Sequence, residues 1–288
     1  MMDDDRTEDG AFSRFPIFIG GFFKSGTTLL RAMLGQHSSI ASGLETQWFT
    51  LDWGKGRDEE GLREHVERLR HFYGLDPDVT SRIVEGSGSA EEFLGRFLGR
   101  YTRAEGKRRW AEKTPGNILH VERIFGAWPE ARFIHIIRDP RDVFASLRQA
   151  RKWDAVEEFA EMWCRYLGAA EAAKRRMPPE EERYLEVRYE SLIQEPRETM
   201  MSVTRFLGEP WEEGVAEFDG KGDEYRKVLE LTGKASTTLD RLRQPLSRDR
   251  IGIWKRILEP GEIQDLHREV DRRGMLSLFR SLELPGQA

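Results

Sequence analysis

Phe18-Ile19-Gly20-Gly21-Phe22-Phe23-Lys24-Ser25-Gly26-Thr27-Thr28-Leu29-Leu30 changes its hydrophobic rhythm midway. The run Phe15 to Gly20 is short, rich in Phe and Ile and closed by glycines, which predicts a buried strand. From Thr27 to Gln36 the residues Leu29, Leu30, Met33 and Leu34 recur on one helical face. Strand, glycine loop and helix together open an α/β domain. Glycines let the loop curl so that backbone N–H groups converge, and the helix N-terminus adds its positive dipole end. Lys24 brings a full charge, and Thr27 and Thr28 bring two hydroxyls. The loop is therefore a cradle for a phosphate-like anion. It departs from the triphosphate-binding pattern G-x-x-x-x-G-K-[ST], because Thr27 follows the second glycine and the lysine sits three residues earlier.

Similar units recur along the chain. Phe133-Ile134-His135-Ile136-Ile137 reads as a strand buried on both faces, ended by Asp139-Pro140, with Val143, Phe144, Leu147 and Ala150 on the next helix. Tyr184 to Val187 leads to a helix near Pro196–Leu207, and Trp110 to Lys113 predicts one more short strand before Pro115. Amphipathic helices are expected over 58–73, 89–103, 155–176 and 260–280; the polar stretch 214–245 suggests an irregular cap or mobile segment. The sum is one α/β domain over 14–288 behind a flexible acidic tail at 1–13, with no repeat or linker.

Composition narrows the function classes. The 288 residues carry 46 Lys plus Arg against 51 Asp plus Glu, a net charge of −5, which disfavours a general nucleic-acid binder. No apolar run approaches the roughly 20 residues of a membrane-spanning helix. The acidic Met1–Gly10 has no signal-peptide core, and the single cysteine, Cys164, excludes an internal disulfide or a multi-cysteine metal site. A cytoplasmic protein is expected.

The segment FIGGFFKSGTTLL resembles the 5′-phosphosulfate-binding loop of sulfotransferases that use 3′-phosphoadenosine-5′-phosphosulfate (PAPS). The stretch Ile136-Ile137-Arg138-Asp139-Pro140-Arg141-Asp142-Val143-Phe144-Ala145-Ser146 is similar to the family's 3′-phosphate segment. The resemblance implies a three-layer P-loop-like fold, its central, mainly parallel sheet flanked by helices. It further implies a donor site of Lys24, Ser25, Gly26, Thr27 and Thr28, with the Ser25–Thr28 amides on the phosphosulfate and Arg138 and Ser146 on the 3′-phosphate. Val187-Arg188-Tyr189-Glu190-Ser191-Leu192 is similar to the family's segment whose tyrosine lies near the adenine, which makes Tyr189 a candidate, and Ser247 to Trp254 resembles an element closing over the nucleotide, with Arg248 and Arg250 as candidates.

By the same resemblance the reaction moves a sulfuryl group to an acceptor hydroxyl or amine and releases adenosine 3′,5′-bisphosphate (PAP). Lys24 would stabilise the bridging oxygen, and Lys113 would lie near the sulfuryl group. Gly43-Leu44-Glu45-Thr46 looks similar to the Gly-Glu-Glu-Thr segment of tyrosylprotein sulfotransferases, which makes Glu45 the leading base, its pKa expected to rise toward neutrality by burial. Glu112 and His120 are the alternatives. A sulfuryl group carries less charge than a terminal phosphoryl group, so no metal is expected. Trp48, Phe49 and Trp53 could wall an acceptor pocket or belong to the core. The acceptor is open among small molecule, carbohydrate, lipid and peptide tyrosine, and a homodimer is left open. A P-loop nucleotide kinase and a non-catalytic nucleotide-binding module are the competing readings.

Overall fold

The structure is a computed structural model and describes residues 15–49, 59–150, 154–178, 181–217, 228–230, 240 and 242–283. The expected tail at 1–13 and Trp53 lie outside the described residues, as does much of 218–241.

Five parallel strands, β1 (Ile17–Gly21), β2 (Ile40–Ser42), β3 (Arg109–Lys113), β4 (Arg132–Ile137) and β5 (Tyr184–Arg188), form one sheet in the order β2-β3-β1-β4-β5. Side chains alternate across a strand, so each strand serves two cores. Phe18, Trp110, Phe133 and Ile137 pack on one face, whereas Ile17, Ile19, Ala111, Ile134 and Ile136 pack on the other. Each fully buried Ile or Phe among them contributes about 1.5–3 kcal/mol of apolar burial. Burial on both faces is what makes these strands near-continuous apolar runs, and it confirms the layered α/β fold.

On the second face lies α1 (Thr27–Leu34), which buries Leu30, Met33 and Leu34; it is shorter than the expected 27–36 because the chain turns at Gly35. The first face carries α2 (Glu59–Tyr73), α3 (Pro77–Gly86) and α4 (Ala90–Ala104). Of these, α3 went unanticipated, although Asp76 caps its first turn by accepting from the amides of Asp78 and Val79. After β3 a 3₁₀ turn (Pro115–His120) feeds α5 (Val121–Ala127). Next, α6 (Pro140–Gln149) starts at proline with Asp139 as its cap, followed by α7 (Val156–Arg176). Past β5 come α8 (Tyr189–Gln194) and α9 (Pro196–Leu207). The expected single helix over 260–280 is two, α11 (Pro260–Arg272) and α12 (Leu276–Leu282), preceded by the short α10 (Trp254–Ile257). Gly274, at φ 71°, supplies the left-handed break between α11 and α12. Among the described residues no helix is long and apolar enough to cross a membrane.

Candidate active site

A cleft of about 1160 Å³ opens beyond the C-terminal ends of β1, β3 and β4, where the chain changes direction about β1. Lys24, Gly26, Thr27, Thr28, Glu45, Lys113, Arg138, Ser146, Tyr189 and Arg250 all line it. Two of the expected residues do not. Ser25 is buried within the loop, and its amide donates to the Phe22 carbonyl at 3.2 Å. Arg248 turns to the Gln194 carbonyl at 3.4 Å, outside the cleft lining.

Glycine is required at both ends of the loop. A Cβ on Gly21, at φ 149°, would meet the Ile136 carbonyl oxygen at 2.4 Å, and one on Gly26, at φ 102°, would meet Tyr189 Cδ2 at 2.5 Å. Lys24 itself adopts φ 64°, a left-handed conformation uncommon outside glycine. The loop delivers the chain into α1, whose first amides have no intrahelical acceptor and whose residues Thr27 and Thr28 face the cleft.

At the next strand end the buried Lys113 donates from Nζ to Thr28 Oγ1 at 3.1 Å and pairs with the Glu45 carboxylate. Arg31, fully buried on α1, also lines this wall and holds the chain leading to Glu45, donating to the Ser42 and Gly43 carbonyls at 3.3 and 2.9 Å. Burial pushes the Glu45 carboxyl upward, but the charge and hydrogen bond of Lys113, with Arg31 and Gln47, outweigh it and hold the group below the usual carboxylate range. The expected rise toward neutrality is thus corrected: the desolvation is present, and the cations beside it win. Burial pushes the Lys113 ammonium down, Glu45 pulls it back up, and Arg31 adds a further downward push, for a net lowering.

The alternative bases sit elsewhere. Glu112 neighbours Lys113 in sequence, so its side chain leaves the opposite face of the sheet. It accepts from the Thr46 amide at 3.1 Å and from the hydroxyls of Thr46 and Thr114 at 2.7 Å each, with Asn117 Nδ2 as a fourth donor. Burial raises its pKa despite those bonds. This carboxyl pins the turn after Glu45 to the strand. His120 stacks on Phe49 with centroids 5.9 Å apart, its pKa lowered by burial and then by Arg123 and Arg165, and it does not line the cleft. Trp48 and Phe49 are core residues, with Trp48 stacked on Phe93 at 4.8 Å.

At the other end of the cleft Arg138 joins three segments. Its Nη1 donates to the Lys24 carbonyl at 2.8 Å and to Ser146 Oγ at 3.4 Å, and its Nη2 donates to the Arg250 carbonyl at 2.6 Å. The guanidinium lies 4.4 Å above the Tyr189 ring, and its buried Nε has no acceptor. Arg250 points its own guanidinium to Gln149 Oε1 at 2.7 Å. The described part of 214–245 contributes Val228, Asp240, Leu242 and Gln244 to the cleft wall. Arg31 is the residue that sequence reasoning passed over. Its signal was available, for it lies four residues after Thr27 and three after Thr28, on the face those threonines share.

A family model described as the sulfotransferase family matches residues 16–213. The chain belongs to the sulfotransferase family. It is 23% identical to a protein-tyrosine sulfotransferase of Drosophila melanogaster over 91% of this chain and 51% of that protein, and so spans about half the length of that relative. Among solved structures it is similar to the sulfotransferase domain of the Synechococcus PCC 7002 olefin synthase, with a TM-score of 0.68 and 21% identity over 95% of this chain and 96% of that one. It also shares its fold with the mouse sulfotransferase SULT7A1 complexed with PAP, with a TM-score of 0.50 and 14% identity over 98% of this chain and 93% of that one. In this sulfotransferase-family chain the loop carries its lysine at Lys24, before the second glycine, with a second buried lysine, Lys113, across from Thr28.

Proposed function

We propose that this member of the family transfers a sulfuryl group from PAPS to an acceptor hydroxyl or amine by in-line displacement, releasing PAP. The observation that carries the reading is that one cleft wall joins the Gly26-Thr27-Thr28 turn, the Lys113–Glu45 pair and the Arg138–Ser146 pair. The residues fit a ligand with anionic groups at two ends. At one end are the first amides of α1, two threonine hydroxyls and two lysines; at the other is a buried guanidinium whose Nε still has a hydrogen to donate. PAPS, when bound, supplies an activated sulfuryl group.

The chain's own residues do the rest. Thr27 and Thr28 hold the 5′-phosphosulfate end, Arg138 and Ser146 hold the 3′-phosphate, and Tyr189 flanks the base. Lys24 and Lys113 offset the charge that grows on the leaving side, where fixed cations in a water-poor site act most strongly. Glu45, ionised beside Lys113, takes the acceptor's proton. The lowered pKa makes it a modest base that is always in the correct protonation state at neutral pH. In this reading Lys24, Lys113 and Arg31, all in the cleft lining, offset the charge at the phosphosulfate end, so we expect no metal requirement. Activity unchanged in excess chelator is the anticipated result, and loss restored by Mg²⁺ would overturn it.

Thermal unfolding with PAP and, separately, with ATP–Mg²⁺ tests the donor site. Saturating PAP at a hundredfold excess over Kd should stabilise the fold by about 2.7 kcal/mol. Preferential stabilisation by ATP–Mg²⁺ would favour the nucleotide kinase reading, which the absence of lysine at position 27 argues against. Labelled PAPS presented with peptide tyrosine, carbohydrate, lipid alcohol and small phenols then separates an enzyme from a binding module. The peptide-tyrosine arm is motivated by the named activity of the Drosophila relative.

A further inference from the structure

The cleft's outer rim at residues 248–254 is held by a carboxylate that does not itself line the cleft. Asp142, on the first turns of α6, is fully buried. Its Oδ2 accepts from the Gly252 amide at 2.8 Å and its Oδ1 accepts from the Trp254 amide at 3.1 Å. Two amides reach one carboxylate because Gly252 adopts φ 76°, which curls the chain between them. The same turn sets the Arg250 carbonyl 2.6 Å from Arg138 Nη2, and Asp142 lies 3.8 Å from that nitrogen. The Arg141 guanidinium packs 4.3 Å over the Trp254 ring and closes the junction from the other side.

We infer that Asp142 is a positioning residue for donor binding: it latches the 248–254 segment onto α6, and so fixes the orientation of the Arg138 guanidinium toward the nucleotide. The inference rests on the donor reading above only for the identity of that nucleotide. An arginine whose Nη1 and Nη2 are tied to carbonyls from two separate segments is oriented only as well as those segments are placed. The Lys24 carbonyl is fixed by the loop, whereas the Arg250 carbonyl depends on a rim that Asp142 anchors. Ionised carboxylate bonds to backbone amides are the strong kind, and an amide side chain in its place has one acceptor oxygen for two donors.

Asp142→Asn should therefore raise the Kd for PAP and the KM for PAPS together by about tenfold, with the effect falling on KM and not on kcat. Gly252→Ala, which strains the turn while keeping the Asp142 carboxylate itself, should shift both constants in the same direction. Hydrogen exchange supplies a readout independent of any donor: the Gly252 and Trp254 amides should be protected in the nucleotide-free wild type, and should exchange faster in Asp142→Asn. Open-chain exchange of those amides in the wild type overturns the latch, and unchanged PAP affinity in both variants overturns its role in binding. A wild type that binds no PAP would sink the donor assignment instead, leaving the exchange measurement to decide the latch.

Discussion

The Lys113 ammonium and the Glu45 carboxylate form one ion pair of unequal burial, with 2% of the lysine side chain and 35% of the glutamate side chain exposed. The asymmetry sets which partner the fold can lose. Lys113→Met removes a desolvated cation and leaves a carboxylate that water can reach, so stability should change by less than about 1 kcal/mol. Glu45→Gln strands a buried ammonium near Arg31 and should cost about 1–3 kcal/mol. Urea unfolding of the two variants measures the difference; equal losses would contradict it. Turnover should fall in both, by roughly 10²- to 10⁴-fold for Glu45→Gln if it is the base.

The same pair makes a statement about pH. The ordinary value for the Glu45 carboxyl is 4.5, and Lys113, overcoming burial, depresses it in the folded protein. A depressed carboxyl stabilises the fold fully above its unfolded pKa and loses that contribution as the pH falls through the folded value. The acid limb of kcat/KM that belongs to Glu45 should therefore lie below pH 4.5. A limb near neutrality that disappears in Glu45→Gln would refute the assignment.

Lys24 occupies a left-handed position beside the helix start and lines the cleft. If its charge acts on the breaking bond, Lys24→Ala should reduce turnover by a hundredfold or more, while PAP affinity changes far less. Calorimetry with PAP and single-turnover transfer with labelled PAPS give the two numbers. Near wild-type turnover would remove Lys24 from the mechanism.

Gly26 faces two separate obstacles to a side chain, its φ of 102° and the Tyr189 ring 2.5 Å from the added carbon. Gly26→Ala should lower stability by about 1–3 kcal/mol. Adding Tyr189→Ala relieves the clash but not the backbone strain, so the double variant should unfold between the single variants' additive expectation and wild type. Strict additivity in thermal unfolding would show that the two residues do not meet.

Much of the architecture was legible because it rests on local patterns. The both-face apolar runs at Phe133–Ile137 and Ile17–Gly20 announce interior parallel strands, and Pro140 after Asp139 announces a helix start. Helix α3 was missed because its ten residues span fewer than three turns, too few to establish a period, and the break at Gly274 because a glycine within a helical pattern reads either way. In the site, the glycine loop at 21–28 and the Arg138–Ser146 pair were readable as motifs. The direction of the Glu45 shift was not, because it depends on a cation 68 residues away along the chain.

Sequence alone determined four of the five strand segments, the glycine-bounded loop between β1 and α1, and which residue types are present to do chemistry, since period, glycine placement and charge are properties of neighbours; the three-residue β2 is too short to carry a period. Only the tertiary structure decided that Glu112 and Lys113, adjacent in the chain, serve opposite faces of the sheet, that the Ser25 amide donates to the Phe22 carbonyl, and that Arg31 and Asp142 anchor the two rims of the cleft. Those outcomes depend on which distant groups meet across strand ends in a water-poor interior, where a single ångström-scale contact outweighs local preference.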